Sequence, residues 1–503
     1  MKENRTPPVE EPDVSQTQVS TDFGPSANTA GIGILEEVLH HKPGSPSLLR
    51  LWNRSFVLLW QGQLVSEFGN VAFNAALSFW ILAVTGSTAE MGLVLAVFAL
   101  PYLLVTPFAG VYVDRANRRS IIIVTDLLRG IVMTAMALLI LFKVFPFWLI
   151  FPVGLLVGTC GAFFMPALNS AIPDIVPQHQ LVRANSLRSL TSNFVNMVGN
   201  ALGGIVYSLI GAPILFLFDG ITFLVTTVAE LFVRIPKVNR TEHKAKLTYF
   251  EDLKDGFRFM FRFAGLRFIL IEAIALNFFL TVGSILLTPF FMRMSTNGQA
   301  AADWAILQKT ELGKAFLENI AGSGAMLFGF AAGSFVLGNL LGAGITAIAQ
   351  IRPRQRSFAV ALTGIVGCLC MIVVGRMQTY IPILFLMASA GICVAVALTL
   401  LNTVLQTSVP QDMRGKTFGL LAAAIGASSP LAMAIGGVVG EYAGAGTTIS
   451  LAFVLALLIS LPLAFARNVH AMVNFDPETQ SLDDILREQM RRSRARKGTP
   501  SPD

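Results

Sequence analysis

Four polar residues share one face of an otherwise apolar stretch: Gln63, Glu67, Asn70 and Asn74, spaced i, i+4, i+7 and i+11. At about 100° per helical residue they fall within roughly 60° of one another. Burying an ionised carboxylate in apolar surroundings is costly, so Glu67 must meet water, a partner or a proton. It is the leading candidate for proton coupling. The alternative is a hydrogen-bonded acid that only packs helices together.

Asn193, Asn196 and Asn200, spaced i, i+3 and i+7, are expected to line the same cavity, although helix-to-helix hydrogen bonding explains them as well. Asp219 is a second acid in apolar surroundings, to be matched by Thr222, by a neighbouring helix or by substrate. Asn277, Asn402 and Gln406 are weaker cavity candidates in a region dominated by Phe, Met and Leu, a wall suited to amphipathic or lipophilic cargo. Asp126 and Arg129 are i, i+3 neighbours, expected to form an ion pair connected to Asp114. No metal-ligand cluster or nucleophile triad is apparent, because His40, His41, His179, His243 and His470 all fall outside the apolar stretches. Gly415-Lys416-Thr417 superficially resembles the end of a phosphate loop, but Pro410 takes the place of its first glycine and no strand precedes it. Neither a cofactor nor enzymatic chemistry is expected.

The elements that position these residues are membrane spans. Crossing the hydrocarbon takes roughly 20 mainly apolar residues. Such stretches fall at 55–84, 88–112, 118–142, 147–173, 182–209, 213–234, 266–292, 319–350, 357–376, 380–409, 417–440 and 447–467. Apolar residues make up 54% of the 503 and charged residues 13%, with a mean hydropathy of +0.65; soluble domains carry about 25% charged residues. The breaks after even-numbered spans hold nineteen Lys and Arg, from Arg115 to Lys416, and those after odd-numbered spans hold five. Lys and Arg resist translocation, so the even breaks and both termini are expected to be cytoplasmic, in a bacterial plasma membrane. The net charge of +7 is then spread along the inner face against anionic lipid and requires no nucleic acid. Cys160, Cys368, Cys370 and Cys393 lie within spans and read as small packing residues. Residues 1–46 contain no continuous apolar segment, so span one is expected to act as the insertion signal.

An internal repeat divides the chain. Val176-Pro177-Gln178 and Val409-Pro410-Gln411 are offset by 233 residues, as are Gly203-Gly204 and Gly436-Gly437. Phe56 and Phe268 are offset by 212 instead, which places an insertion of about 20 residues in the second half, assigned to an external segment at 295–318. The resulting plan is a disordered leader with a short helix near Ile32 to His40 (1–50), a six-helix bundle (51–235), and a linker with an amphipathic helix at Thr248 to Phe263 (236–265). A second six-helix bundle (266–470) and a basic tail (471–503) complete it. Parallel halves of six spans suit a secondary transporter, working as one chain, whose site is exposed to each side in turn by rocking.

Gly110-Val-Tyr-Val-Asp114-Arg115-Ala-Asn-Arg118-Arg119, between spans two and three, matches the Gly-x-x-x-Asp-Arg-x-x-Arg-Arg loop of the major facilitator superfamily. The resemblance implies a latch that holds the cytoplasmic side closed, to which Asp126 and Arg129 connect. In the second half Gly344, Arg352, Arg354 and Arg356 remain but no acid matches Asp114. Gly199-Asn200-Ala201-Leu202-Gly203-Gly204 resembles the Gly-Pro-x-x-Gly-Gly element of drug:proton antiporters with Asn200 in place of the proline, and small residues there also serve tight packing. Leu59-Trp60-Gln61-Gly62-Gln63-Leu64-Val65-Ser66, Asp126-Leu127-Leu128-Arg129, Pro166 to Leu187 and Arg414 to Gly419 resemble the macrolide-efflux and enterobactin-exporter branch. The resemblance covers about residues 50–470. It implies export of a small antibiotic-like or siderophore-like molecule. The branch more often carries its acid where Asn70 stands, and the intramembrane Arg of many drug antiporters' fourth span is missing from 147–173. The expected function is proton-coupled efflux of small amphipathic molecules; the alternatives are an uncoupled facilitator or lipid translocator, and a non-transporting sensor or scaffold.

Overall fold

The computed structural model describes residues 51–235, 258, 261, 264–296, 323–349, 353–408 and 411–465. Apart from the helical Arg258 and Phe261, the expected leader, linker helix and basic tail lie outside the described residues, as does the external insert beyond Thr296. Twelve long helices account for almost all of the rest, with no strand among the described residues. In chain order they are α1 (Arg54–Thr85), α2 (Thr88–Arg115), α3 (Arg118–Leu141), α4 (Ile150–Ile175), α5 (Leu181–Ile210), α6 (Ala212–Leu231), α7 (Ala264–Thr296), α8 (Gly324–Ala349), α9 (Pro353–Val374), α10 (Tyr380–Ser408), α11 (Gln411–Ala443) and α12 (Ala445–Phe465). Eleven are long and apolar enough to cross a membrane, and α12 carries a shorter apolar segment, Ala445–Leu461. The helices follow the twelve spans expected from sequence. The clearest difference is α11, which starts at Gln411 rather than 417, because its first turns are polar and hydropathy registers only the apolar remainder.

Each helix satisfies its own backbone, as hydrocarbon requires, so the ends carry the local signals. Asn53, Ser87 and Asn117 cap α1, α2 and α3, each accepting a hydrogen bond from a first-turn amide. Gly211 alone joins α5 to α6 at φ 78°, and Gly444 alone joins α11 to α12 at φ 83°, left-handed backbone that a side chain would strain. These two turns are themselves 233 residues apart and extend the sequence repeat.

The packing map is two-fold. Within the first half α1 packs on α5 and α6, α3 on α4 and α6, and α2 on α4; adding six to each number gives the second half's pairings. The halves meet chiefly through α2 with α11 and α5 with α8, which exchange under the same operation. The paired glycines follow suit. Gly203 and Gly436 pack inside their bundles, against Ala75 and against Val282 and Ile285, whereas Gly204 abuts Ala325 and Gly329 across the interface and Gly437 abuts Gly92 and Thr88. A Cβ on Gly437 would stand 2.7 Å from the Gly92 Cα, so the backbones touch.

These contacts lie at the end of the molecule where α1 turns into α2. There the Glu441 carboxylate of α11 accepts from the amides of Thr88 (2.6 Å) and Ala89 (3.4 Å), an anion from one half seated on a helix N-terminus of the other. At the opposite end the interface helices part: a Cβ on Gly110, Gly344 or Gly419 would meet nothing within 4 Å. The two-bundle core is aromatic and aliphatic, with Phe73, Trp80, Met133 and Phe216 in one half and Leu286, Phe291, Tyr380 and Phe453 in the other. Outward faces carry Leu93, Leu128, Ile131 and Phe385, an apolar surface suited to lipid.

Glu441→Gln keeps the shape of this cross-half cap and removes its charge, worth about 0.3–1 kcal/mol at a helix N-terminus. Spin labels at Val84→Cys and Tyr442→Cys, both on exposed positions, should then report a roughly two- to five-fold rise in the open population at this end. An unchanged distance distribution would remove the cap as a determinant of closure.

Candidate functional site

A cavity of about 650 Å³ opens within the first half, towards the end where α2 turns into α3 and α4 into α5. Its wall is mixed: Gln63, Glu67, Asn70, Asn185 and Asn193 stand among Trp60, Tyr102, Phe164, Met165 and Phe223. Glu67 ties α1 to α5, its Oε1 accepting from Asn196 Nδ2 (2.9 Å) and from the Ser192 hydroxyl. Trp60 Nε1 donates to Thr191 Oγ1 at 3.1 Å in the same seam. Arg188, also lining the cavity, lies close enough to Glu67 for their charges to interact and reaches Asn169 Oδ1 at 3.4 Å. The site thus presents a carboxyl held by two donors, a cation beside it and aromatic faces around both.

Beneath this wall lies a buried charged cluster. Asp126 and Arg129 of α3 form an ion pair at 3.5 Å, and the guanidinium sits over the rings of Phe164 (5.2 Å) and Phe223 (5.4 Å). Glu230 of α6 accepts from Gln63 Nε2 at 3.4 Å and faces the Asp126 carboxyl. Asp219, about three turns before Glu230 on α6, feels the charges of both Arg129 and Asp126. Glycines make the room. A Cβ on Gly69 would stand 2.8 Å from Asp219 Oδ1, and one on Gly161 would stand 2.5 Å from an Arg129 guanidinium nitrogen.

The expected stripe on α1 divides. Gln63, Glu67 and Asn70 line the cavity, whereas Asn74 is spent locally on Asn70, donating to its backbone oxygen at 2.8 Å. On α5, Asn193 lines the cavity, Asn196 bonds Glu67, and Asn200 donates to the Asn196 carbonyl at 2.7 Å. Asp219 is 1% exposed and not among the residues that line the cavity. Thr222 does not match its carboxyl either, since the hydroxyl donates to the Asp219 backbone oxygen. Asn277 also leaves the cavity list, because its amide holds α7 to α11 through Ser428 Oγ (2.8 Å) and Ser429 Oγ (3.1 Å). Asn402 is exposed on α10 outside the lining residues. The side chain of Gln406 lies outside the described residues. The residues lining the cavity all belong to the first half, so the apolar second-half wall is not part of it.

In the loop motif, Gly110 stands in open space and Arg115 is exposed. Arg118 pairs with Asp174 at the end of α4 and donates to the Ser170 carbonyl at 3.1 Å, while Arg119 donates to the Leu231 carbonyl at 2.6 Å. The Asp114 side chain lies outside the described residues, so its connection to Asp126 and Arg129 does too. Gly199 packs α5 on Val71 of α1.

Sequence reasoning missed Arg188, Ser192, Glu230 and Glu272. Arg188 reads as a loop cation, yet it stands two turns inside α5. Glu230 and Glu272 are buried at 1% and 5% exposure near the ends of α6 and α7, where acids are easily taken for flanking residues. The signal was their helical register: Glu230 lies eleven residues after Asp219, the same face of α6.

Two six-helix bundles related by a parallel repeat and parted at one end, with a polar cavity inside the first of them, have the architecture of the major facilitator superfamily. Residues 46–315 match the transmembrane secretion effector family, and the chain belongs to it. It is 25% identical to macrolide efflux protein A of Streptococcus pyogenes over 205 residues, 41% of this chain; the match spans 51% of that relative, about half its length. It is 24% identical to the multidrug efflux pump Tap of Mycolicibacterium fortuitum over 431 residues, 84% of this chain and 95% of that one. The fold is similar to the nucleoside transporter NupG (TM-score 0.59, 13% identity, 84% of this chain and 99% of that one). It is also similar to a bacterial homologue of the lysosomal transporter Spinster, inward-facing and unoccupied (TM-score 0.55, 17% identity, 86% and 98%).

Gly69→Val places a branched side chain against Asp219 and Thr222. Overpacking of this kind costs about 1–3 kcal/mol. The variant should unfold at a distinctly lower temperature in detergent, followed by circular dichroism. A wild-type melting curve would show that the α1–α6 seam tolerates a side chain there.

Proposed function

We propose that the protein exports small amphipathic molecules from the cytoplasm by alternating access, driven by exchange for protons at Glu67. One observation carries the reading: Glu67 faces a cavity of about 650 Å³ while its carboxyl is held across the α1–α5 seam by Ser192 and Asn196. A group so placed senses both cargo and helix separation. The volume lies within the roughly 300–1,000 Å³ of small-molecule sites, and a wall of Asn side chains among aromatic rings suits a cargo with one polar and one apolar side.

The excess of basic residues in the even-numbered turns supports a cytoplasmic location for that end of the molecule and for both termini. The parted end is then cytoplasmic and the end closed by Glu441, Gly92 and Gly437 external, an inward-facing state that loads from within the cell. Efflux also agrees with the names of the relatives, one a macrolide exporter and one a multidrug pump. A cycle follows from the chemistry. Cargo and proton compete for the cavity: an ionised Glu67 favours an occupied site, and protonation from the acidic side displaces the cargo once the halves have rocked.

The test is transport by the full chain in proteoliposomes, with a radiolabelled macrolide as probe and an imposed pH gradient. Wild type should accumulate macrolide against its gradient, and Glu67→Gln should lose accumulation while still allowing macrolide to run downhill. Accumulation by Glu67→Gln equal to wild type would end the coupling assignment. Transport by wild type that ignores a proton uncoupler would favour the facilitator instead.

A further inference from the structure

The transport reading assigns one acid to proton exchange, and it leaves unexplained why three more carboxyls are sealed in the same bundle. Asp126, Asp219 and Glu230 are 0%, 1% and 1% exposed, and Arg129, at 7%, is the guanidinium among them. Both oxygens of Asp126, Oδ1 of Asp219 and Oε2 of Glu230 have no hydrogen-bond partner among the described residues, and neither has Nε of Arg129. Buried polar atoms are ordinarily paired, and three buried carboxyls that share the field of a single guanidinium leave charge that the described residues do not compensate, which a bound proton can neutralise. The space around them is built: Gly69 admits the Asp219 carboxyl and Gly161 the guanidinium, each where a Cβ would collide.

We propose that Asp126, Asp219 and Glu230, gathered around Arg129 beneath the cavity, form a proton-binding site separate from Glu67.

Charge balance supplies the count. One guanidinium neutralises one carboxylate, and the low-dielectric interior penalises every further uncompensated charge. Neutrality therefore requires two protons on the three carboxyls. They are not equivalent. Asp219 is walled off beneath Gly69, whereas Asp126 and Arg129 border the cavity and Glu230 hydrogen-bonds Gln63, which also lines it. The exchangeable proton belongs to the facing Asp126 and Glu230 pair, and the one on Asp219 is retained. On release the proton passes to cavity water, and the carboxylate left behind is met by Arg129, already in contact with Asp126. No oxidant or second reactant enters. The other titratable groups facing the cluster are Tyr102 of α2, Cys160 of α4 and, across the cavity, Glu67 of α1 with Arg188 of α5. Exchange during transport rests on the export reading; the stored protons do not.

Infrared difference spectra of the full chain in lipid nanodiscs, recorded between acid and alkaline buffer and in light and heavy water, read protonated carboxyls directly through their C=O stretch. Wild type should show such bands. Glu230→Gln should delete a component of the acid-minus-alkaline difference, Asp219→Asn a separate C=O component present at both pH values in the absolute spectra, and Glu67→Gln should leave both in place, with the amide band of each sample reporting its fold. Spectra in which neither substitution removes a component, or in which Glu67→Gln removes all of them, would overturn the site. No cargo is needed, so this outcome is independent of whether macrolide is exported. With macrolide-loaded proteoliposomes and an entrapped pH dye, Asp126→Asn should lower the protons moved per macrolide; an unchanged ratio counts against exchange at the pair.

Discussion

Hydrocarbon offers a polar group nothing to bond, and that constraint governs this molecule from turn to site. It forces the backbone into long self-satisfied helices, and it makes the few remaining polar side chains seek one another. Asn277 finds Ser428 and Ser429, Tyr380 donates to the Leu327 carbonyl at 2.7 Å, and Thr226 donates to the Gly62 carbonyl at 2.9 Å. Each of these bonds ties two helices. Where small residues let backbones touch, as at Gly220 against Thr134, dispersion replaces the hydrophobic drive that lipid cannot supply.

The same constraint explains why the halves part at one end and close at the other without an extensive interface. Among the described residues, α2 with α11 and α5 with α8 make the substantial cross-half packing, and the backbone contacts given by Gly92, Gly437, Gly204 and Gly329 cluster at the end bearing the α1–α2 turn. Two symmetry-related seams with glycines near one end are the arrangement that the rocking proposed above requires, while each bundle keeps its own core. The polar cap from Glu441 to α2 belongs to that end. Two arginines of the loop motif are meanwhile engaged inside their own bundle, Arg118 with Asp174 and Arg119 with the Leu231 carbonyl.

Much of this architecture was legible in the sequence because its determinants are one-dimensional. Span length is counted along the chain, charge bias is read break by break, and the offset of 233 residues joins Gly203 to Gly436 and Gly211 to Gly444 without reference to space. The site was legible only where one helix face carried the whole pattern. Gln63, Glu67 and Asn70 could be grouped by angle on α1, but the donors that meet Glu67 come from α5, and nothing in a single sequence ranks Ser192 above Asn200. Asp219 and Asn277 misled because polarity in a span signals either water or a partner, and the choice depends on helix rotation. Glu230 escaped notice because hydropathy blurs the last turns of a span, the region where it sits fully buried beside Asp126.

The halves share a scaffold but divide the chemistry. The first holds Glu67, Arg188, Asp126, Arg129, Asp219 and Glu230; the second has a core rich in Phe, Met and Leu, with Glu272 its buried acid among the described residues. Repeat symmetry therefore cannot be what places charge in the membrane, since it would have placed it twice. On the export reading, the bundle that retains a costly charged cluster is the one that would change its charge state, and the more apolar bundle is the surface against which it would move. The buried charge is thus concentrated on α3 and α6, while α7 to α12 carry one buried acid, Glu272, among the described residues, so most of the cost of desolvating charge falls on one bundle.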